Sequence, residues 1–294
     1  MIDIDRTRTD ELQKLGRRLL TSGEADVVIG HGRTSLGNVT RPLFARTPED
    51  CAQLVWSATC VGNLTTHLTR PEIRDLGRPA VVVKGCETAG LTVLEREHQI
   101  ERDAVTVIGV TCEGMHAPDG SGNVGPELGK CAGCDARTPT GCDHLVGPEI
   151  SPDERTRDLT ADEAIEAMST DERWQFWQAE LEHCFKCYAC RAVCPLCYCN
   201  RCFVDKTRPS WTSASQAANA VLHYHIFRAF HLAGRCIACG ECERVCPQDI
   251  PLGLLNRKLG RVVDELFGAG WRTSLEANAP LLEFDADETF EIFR

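Results

Sequence analysis

The sequence predicts an α/β (α+β) N-terminal domain containing a parallel βαβ unit, followed by a mainly α domain organised around cysteine ligands. Three observations predict it. Two β-rich apolar runs, Ala80 to Val83 and Ala104 to Val110, flank a helical stretch. Eleven of the 18 cysteines fall between Cys184 and Cys246. The length of 294 residues accommodates two modest domains, each with its own core.

Thr9 to Gly23 offers a Thr cap, Leu12, Leu15 and Leu19 at helical spacing, and a closing glycine, which predicts an amphipathic helix. Asp26 to Gly30 reads as a short buried strand. Thr47-Pro48-Glu49-Asp50 places a cap, a first-turn proline and two acids ahead of Cys51, Leu54, Val55 and Ala58, predicting a second helix that ends near Cys60. Between the two apolar runs a helix is expected from about Glu87 to Gln99, with Leu91, Leu94 and His98 on one face. Strands joined in this way are parallel, so Gly85-Cys86 and Thr111-Cys112, just past their carboxyl ends, emerge on the same edge of the sheet.

Pro118 to Pro148 is rich in Gly and Pro and holds Cys131, Cys134 and Cys142, the pattern of a long functional loop. Thr160-Ala161-Asp162-Glu163 and Ser169-Thr170-Asp171-Glu172 read as capping boxes, the second opening a helix with Trp174, Trp177 and Leu181. Ser213 to Leu232 reads as another helix that offers Val221, Leu222, Tyr224, Phe227 and Phe230 for burial and stops at Gly234. The expected organisation is residues 1–150 as one domain, 151–183 as a helical linker, 184–268 as the cysteine-rich domain with an inserted helix, and 269–294 as a tail.

No apolar run approaches the ~20 residues needed to cross a bilayer. The opening Met1-Ile2-Asp3-Ile4-Asp5-Arg6 carries two acids where a secretory signal has a basic region. The expectation is a cytoplasmic chain. Lys plus Arg number 32 against 43 Asp plus Glu, a net charge of −11, which disfavours nucleic acid and anionic lipid and leaves other proteins as the expected partners. In a reduced compartment 18 cysteines point to metal rather than to disulfides.

The strongest motif is a repeat. Cys184-x2-Cys187-x2-Cys190-x3-Cys194-Pro195 recurs as Cys236-x2-Cys239-x2-Cys242-x3-Cys246-Pro247. Three thiolates spaced by two residues wrap one cubane, while the fourth, followed by proline, reaches the neighbouring cluster. The ligand sets therefore cross: Cys184, Cys187, Cys190 and Cys246 for one [4Fe–4S] centre, and Cys236, Cys239, Cys242 and Cys194 for the other. A pair of zinc sites would also use C-x2-C, but gives no reason for a third step or for the Cys-Pro ending.

The segment from Cys184 to Cys246 resembles bacterial-type dicluster ferredoxins, with a longer insertion between its halves. VVVKGCETAG, EREHQIERDAVTVIGVTCEG and KCAGCDARTP, within about Leu15 to Gly147, resemble the beta subunit family of coenzyme F420-reducing hydrogenases and formate dehydrogenases. That resemblance implies an electron-carrying subunit of a hydrogenase, formate dehydrogenase or heterodisulfide-reductase-type complex, in a family several of whose members bind a flavin. It also implies a third cluster on Cys86, Cys112, Cys131 and Cys134, in agreement with the strand-end argument, with Cys142 as the alternative for one place. The other reading of Cys86 and Cys112 is as ordinary buried thiols. Cys197, Cys199 and Cys202, dense beyond what packing needs, predict a fourth metal site; Cys60, in SATCVGNL, is the expected fourth ligand because that segment resembles one recurring in relatives. Cys51 reads as core.

Weaker signals carry less. Gly120 to Gly125 matches G-x-G-x-x-G, but it starts ten residues past a strand and runs into Pro126, so it reads as a loop. His223, His225 and His231 read as helix residues, and Asp162, Glu163, Glu166, Asp171 and Glu172 as a solvated face. Two functions compete: an iron–sulfur relay with no substrate of its own, or an enzyme whose N-terminal domain holds a flavin (FAD) that exchanges hydride with a deazaflavin or nicotinamide. The lack of a well-placed phosphate loop favours the relay, and no catalytic triad can be read from the sequence.

Overall fold

The computed structural model describes residues 5–36, 38–118, 124–268 and 274–275. The chain opens with α1 (Arg6–Ser22), capped by Asp5, whose carboxylate accepts from the Arg8 N–H, and closed by Gly23 in the left-handed conformation. Thr9 is therefore not the cap; it lies inside the helix, where its hydroxyl accepts from the Trp56 N–H at 2.9 Å. β1 (Val27–Arg33) and β2 (Thr40–Ala45) follow as an antiparallel pair. The expected second helix is a single 3-10 turn over Asp50–Gln53. Leu54 then turns extended to bridge Gly32 and fills the space above Gly30, a packing demand that overrides the capping signals.

α2 (Pro71–Arg74), β3 (Pro79–Val83), α3 (Gly85–Arg96) and β4 (Thr106–Val110) come next. β3 and β4 pair in parallel, Ala80 opposite Thr106 through Val83 opposite Gly109, so the βαβ unit forms as the pattern predicts. α3 ends before His98, whose positive φ of 53° takes it off the helical face. The Gly/Pro-rich loop contains a hairpin of β5 (His116–Pro118) and β6 (Val124–Glu127), and then β7 (His144–Val146), which joins the sheet parallel to β4. Most of the G-x-G-x-x-G stretch, 120–123, lies outside the described residues. The sheet order is β2-β1-β3-β4-β7. Val81, Val82 and Val83 are buried between its two faces, each contributing about 1.5–3 kcal/mol.

The second half is helical: α4 (Thr160–Ala167), α5 (Thr170–Glu182), α6 (Ala189–Ala192), α7 (Ala218–His231), α8 (Glu241–Arg244) and α9 (Leu252–Phe267). Ser169 and Glu172 form the expected capping box of α5, whereas the N-terminus of α4 is served by Asp158, which accepts from the Thr160 N–H at 2.9 Å. Glu163, Glu166, Asp171 and Glu172 are exposed as expected, but Asp162 is not part of that solvated face. Asp162 is 5% exposed and pairs with Arg257 and Arg261 of α9, and Glu166 pairs with Lys258. Leu181, Val221, Tyr224, Ile250 and Leu252 form the core of this half. α7 buries Val221 and Tyr224 as expected but leaves Phe227 and Phe230 exposed and turns His225 and Arg228 inward instead. Among the described residues no helix is long and apolar enough to cross a membrane.

Candidate metal centres

The two cysteine repeats fold alike, 52 residues apart. Lys186 and Tyr188 in the first, Ala238 and Gly240 in the second, all take positive φ. These left-handed residues curl each loop so that main-chain N–H groups face the sulfurs: Lys186 N–H donates to Cys184 Sγ and Ala238 N–H to Cys236 Sγ, both at 3.4 Å. α6 and α8 then carry Cys190 and Cys242 inward, where both are buried.

Thiols of each repeat act electrostatically on those of the other. Burial raises the Cys184 thiol, the Lys186 N–H opposes it, and the thiols that act on it are Cys190, Cys187 and Cys246. Burial likewise raises Cys239 and takes Cys242 up to about 12; Cys194 acts on both, and Cys236 and Cys190 act on Cys242. Thiols pushed this high ionise only against a cation, so the donor set fits metal-bound thiolates held out of water. Among the described residues no three His, Cys, Asp or Glu side chains close on a single ion.

Three side chains of α7 complete this site. Tyr224 Oη lies 3.4 Å from Cys190 Sγ, and His225 Nε2 lies 3.2 Å from Cys184 Sγ. Burial, aided by Arg228 and Lys186, lowers His225 to about 4. Arg228 donates to the Cys190 carbonyl at 3.1 Å. On the opposite side Asn256 of α9 reaches Cys242 Sγ at 3.7 Å. The sequence signal for α7 was the i, i+4 spacing of Tyr224 and Arg228 on the face that also carries Val221.

In the N-terminal domain Cys86, Cys112, Cys131 and Cys134 line one cavity of about 410 Å³. Cys86 lies in the first turn of α3, directly after β3, and Cys112 just beyond β4, as the topology predicts. The 3-10 turn Gly129–Cys131 brings in Cys131, whose sulfur accepts from the Met115 N–H at 3.3 Å. Gly85 sits against the main chain of the same loop, and a methyl group there would collide with the Ala136 carbonyl. Cys142 is turned away, donating to the Pro139 carbonyl and packing over Gly109 of β4. Burial pushes Cys86 up to about 12 and Cys112 up to about 11.

Two lysines complete the cavity. Lys84 is 1% exposed and pairs with Glu87 at 2.7 Å while donating to the carbonyls of Cys60 and Gly62, each at 3.0 Å. Burial alone would lower its pKa, but Glu87 and the Cys86 thiol more than reverse this and raise it. Lys130 donates to the Cys239 carbonyl at 2.5 Å. Ile237, Ala238 and Cys239 of the second repeat form part of the cavity wall, so the N-terminal thiols and the second repeat share one boundary. Sequence reasoning missed both lysines; the charged Lys84 directly after an apolar strand was the available signal.

The Cys197–Cys202 turn is divided. Cys197 shares a hydrogen bond with Cys194, which together with burial raises Cys194 well above the thiol range. Cys202 lies beside Arg191, and Cys199 is exposed. Cys60 is fully buried in the N-terminal core; its thiol lies 3.6 Å from Ser57 Oγ and 3.7 Å from the Val55 carbonyl, both within its own loop. None of these thiol contacts is to Cys197, Cys199 or Cys202. Cys51 is core, as expected.

Residues 180–250 match the family model of the 4Fe-4S dicluster domain. A stretch of 92 residues is 33% identical to the F420-dependent formate dehydrogenase subunit beta of Methanocaldococcus jannaschii, covering 31% of this chain and 24% of that protein. The match thus spans about a quarter of the length of the curated relative. The chain carries a dicluster domain, and [4Fe–4S] clusters are its cofactors.

Proposed function

We propose that this chain is an iron–sulfur electron-transfer subunit of an oxidoreductase complex of the formate dehydrogenase, hydrogenase or heterodisulfide-reductase type, relaying electrons between partner redox enzymes. Its cysteines act in three sets: Cys86, Cys112, Cys131 and Cys134; Cys236, Cys239, Cys242 and Cys194; and Cys184, Cys187, Cys190 and Cys246. When bound, [4Fe–4S] clusters take up and release single electrons. The observation that carries the reading is the shared wall: Cys239 belongs to the second set and also lines the cavity of the first. The Lys130 contact holds that wall in place, and its charge lies where added electrons are negative. Cys190 and Cys242, buried together on α6 and α8, join the second set to the third, and Cys187, the exposed member, brings the third to the surface. Because the relative matched is a beta subunit, the partners on either side are other subunits of such a complex.

The test is anaerobic purification followed by iron analysis and acid precipitation. The expected outcome is ~12 iron atoms per chain, a brown chromophore and no released flavin. The double variant Cys131→Ser/Cys134→Ser is expected to lose about a third of the iron. Released yellow flavin would replace the relay with a flavin enzyme, and a colourless zinc protein would overturn both.

A further inference from the structure

Arg228 is a buried cation without a carboxylate. It is 5% exposed, makes no ion pair with Asp or Glu among the described residues, and its Nε has no hydrogen-bond partner. Its Nη2 donates to the Cys190 carbonyl at 3.1 Å, and the negative groups that act on its charge are the thiols Cys242, Cys194, Cys190 and Cys197. A buried charge left uncompensated is strongly destabilising, and Arg228, seated on the Cys190 carbonyl, is placed to be balanced by negative charge on the thiolate sets. Tyr224 and His225, on the same helix, act on one set alone: their polar atoms approach Cys190 Sγ and Cys184 Sγ, both in the Cys184, Cys187, Cys190 and Cys246 set. On the other set the side-chain donor is Asn256, at the longer distance of 3.7 Å. The set served by α7 also includes the exposed Cys187.

Reduction adds negative charge, and hydrogen bonds to sulfur, a nearby cation and contact with solvent all stabilise that charge and raise the potential. We propose that α7 is a tuning helix: Arg228 raises the potential of both ferredoxin sets, and Tyr224 and His225 raise the Cys184, Cys187, Cys190 and Cys246 set above its neighbour, making it the place where electrons entering from the N-terminal cavity collect. The inference rests on the relay reading. Tyr224, His225 and Arg228 are positioning residues that act through the ligating sulfurs, each added electron remaining on the set and no bond being made or broken.

The test is a redox titration of the anaerobically reconstituted full chain followed by electron paramagnetic resonance, with Cys187→Ser identifying the signal of the Cys184, Cys187, Cys190 and Cys246 set. Tyr224→Phe, which removes one O–H and little else, is expected to lower the midpoint of that set and leave the other unmoved. Arg228→Gln is expected to lower both midpoints, and Arg228→Lys, which keeps the charge, to hold both near the wild-type values. If both clusters assemble and Tyr224→Phe moves neither midpoint or only that of the second set, the tuning proposal falls while the relay stands. If the wild-type chain binds no clusters, the relay itself falls and takes the tuning with it.

Discussion

Glu97, just past the end of α3, accepts a hydrogen bond from the Tyr198 hydroxyl at 2.7 Å across 101 residues of sequence. The same carboxylate pairs with Arg235, whose guanidinium lies over the Tyr198 ring. The two halves of the chain are thus joined at the Cys197–Cys202 turn by a carboxylate, a phenol and a guanidinium, the task the sequence reading gave to a metal bound by Cys60 and that turn.

Glu97→Ala is therefore expected to loosen the interface without touching any thiol. Hydrogen bonds to charged groups contribute about 1.5–3 kcal/mol, and this pair is less than one-fifth exposed. Chemical unfolding should show a loss of that size, together with faster proteolysis between 151 and 183. An unchanged unfolding midpoint would show that the clamp contributes nothing.

Removing one member of the Lys84–Glu87 pair should be more costly. Lys84→Met leaves the Glu87 carboxylate buried and alone, an expected loss of about 3–5 kcal/mol. Lys84→Met/Glu87→Leu should recover much of it, since no charge is then stranded. A double variant no more stable than the single would show that the two carbonyl contacts of Lys84 dominate instead.

Cys194→Ser is expected to damage the centre of the Cys236, Cys239 and Cys242 repeat, because the fourth thiolate of such a repeat serves the neighbouring cluster and Cys194 acts electrostatically on Cys239 and Cys242. Spectroscopy of the variant decides the matter. Loss of the signal that depends on Cys184, Cys187 and Cys190 would reverse the crossed assignment.

The Asp162 link between α4 and α9 should fail in acid. Hydrogen bonding from Arg257, opposed by burial and aided by Arg261, holds the Asp162 carboxyl below its ordinary 3.8. A lowered carboxyl stabilises the fold fully above that value and loses its contribution as pH falls from 3.8 through the folded value. With the arginines 30% and 40% exposed, the link is worth about 1–2 kcal/mol at neutral pH. Comparing the acid unfolding of the wild type with that of Asp162→Asn isolates it: the two stability curves should converge as the pH drops, and a constant gap would exclude the link.

The parallel unit was legible because Val81 to Val83 and Val107 to Val110 are continuous apolar runs, and both strand-end cysteines follow from the topology alone. β2 was not, because Pro42 interrupts it; proline is tolerated there since β2 is the edge strand of the sheet. The ferredoxin ligands were written in their spacing. Arg228, His225 and Lys84 were hidden because a single sequence does not tell a buried polar residue from a solvated one, and each has a partner on a distant segment: the Cys190 carbonyl, the Cys184 sulfur, and the Cys60 and Gly62 carbonyls. The α9 partners of Asp162 were hidden for the same reason, being 95 to 99 residues away.

Gly85 has a consequence for how freely the N-terminal loop can change. The loop is seated on α3 by main chain against main chain, with the Ala136 carbonyl over a residue that has no side chain. That seat does not depend on the side chain at Ala136, whereas Arg137, paired with Asp153, and Gly133, at positive φ, tie the same loop to the segment that follows. Position 85 accepts a hydrogen atom and nothing larger, so a homologous chain that keeps the path of this loop keeps a glycine there whatever side chain stands at 136.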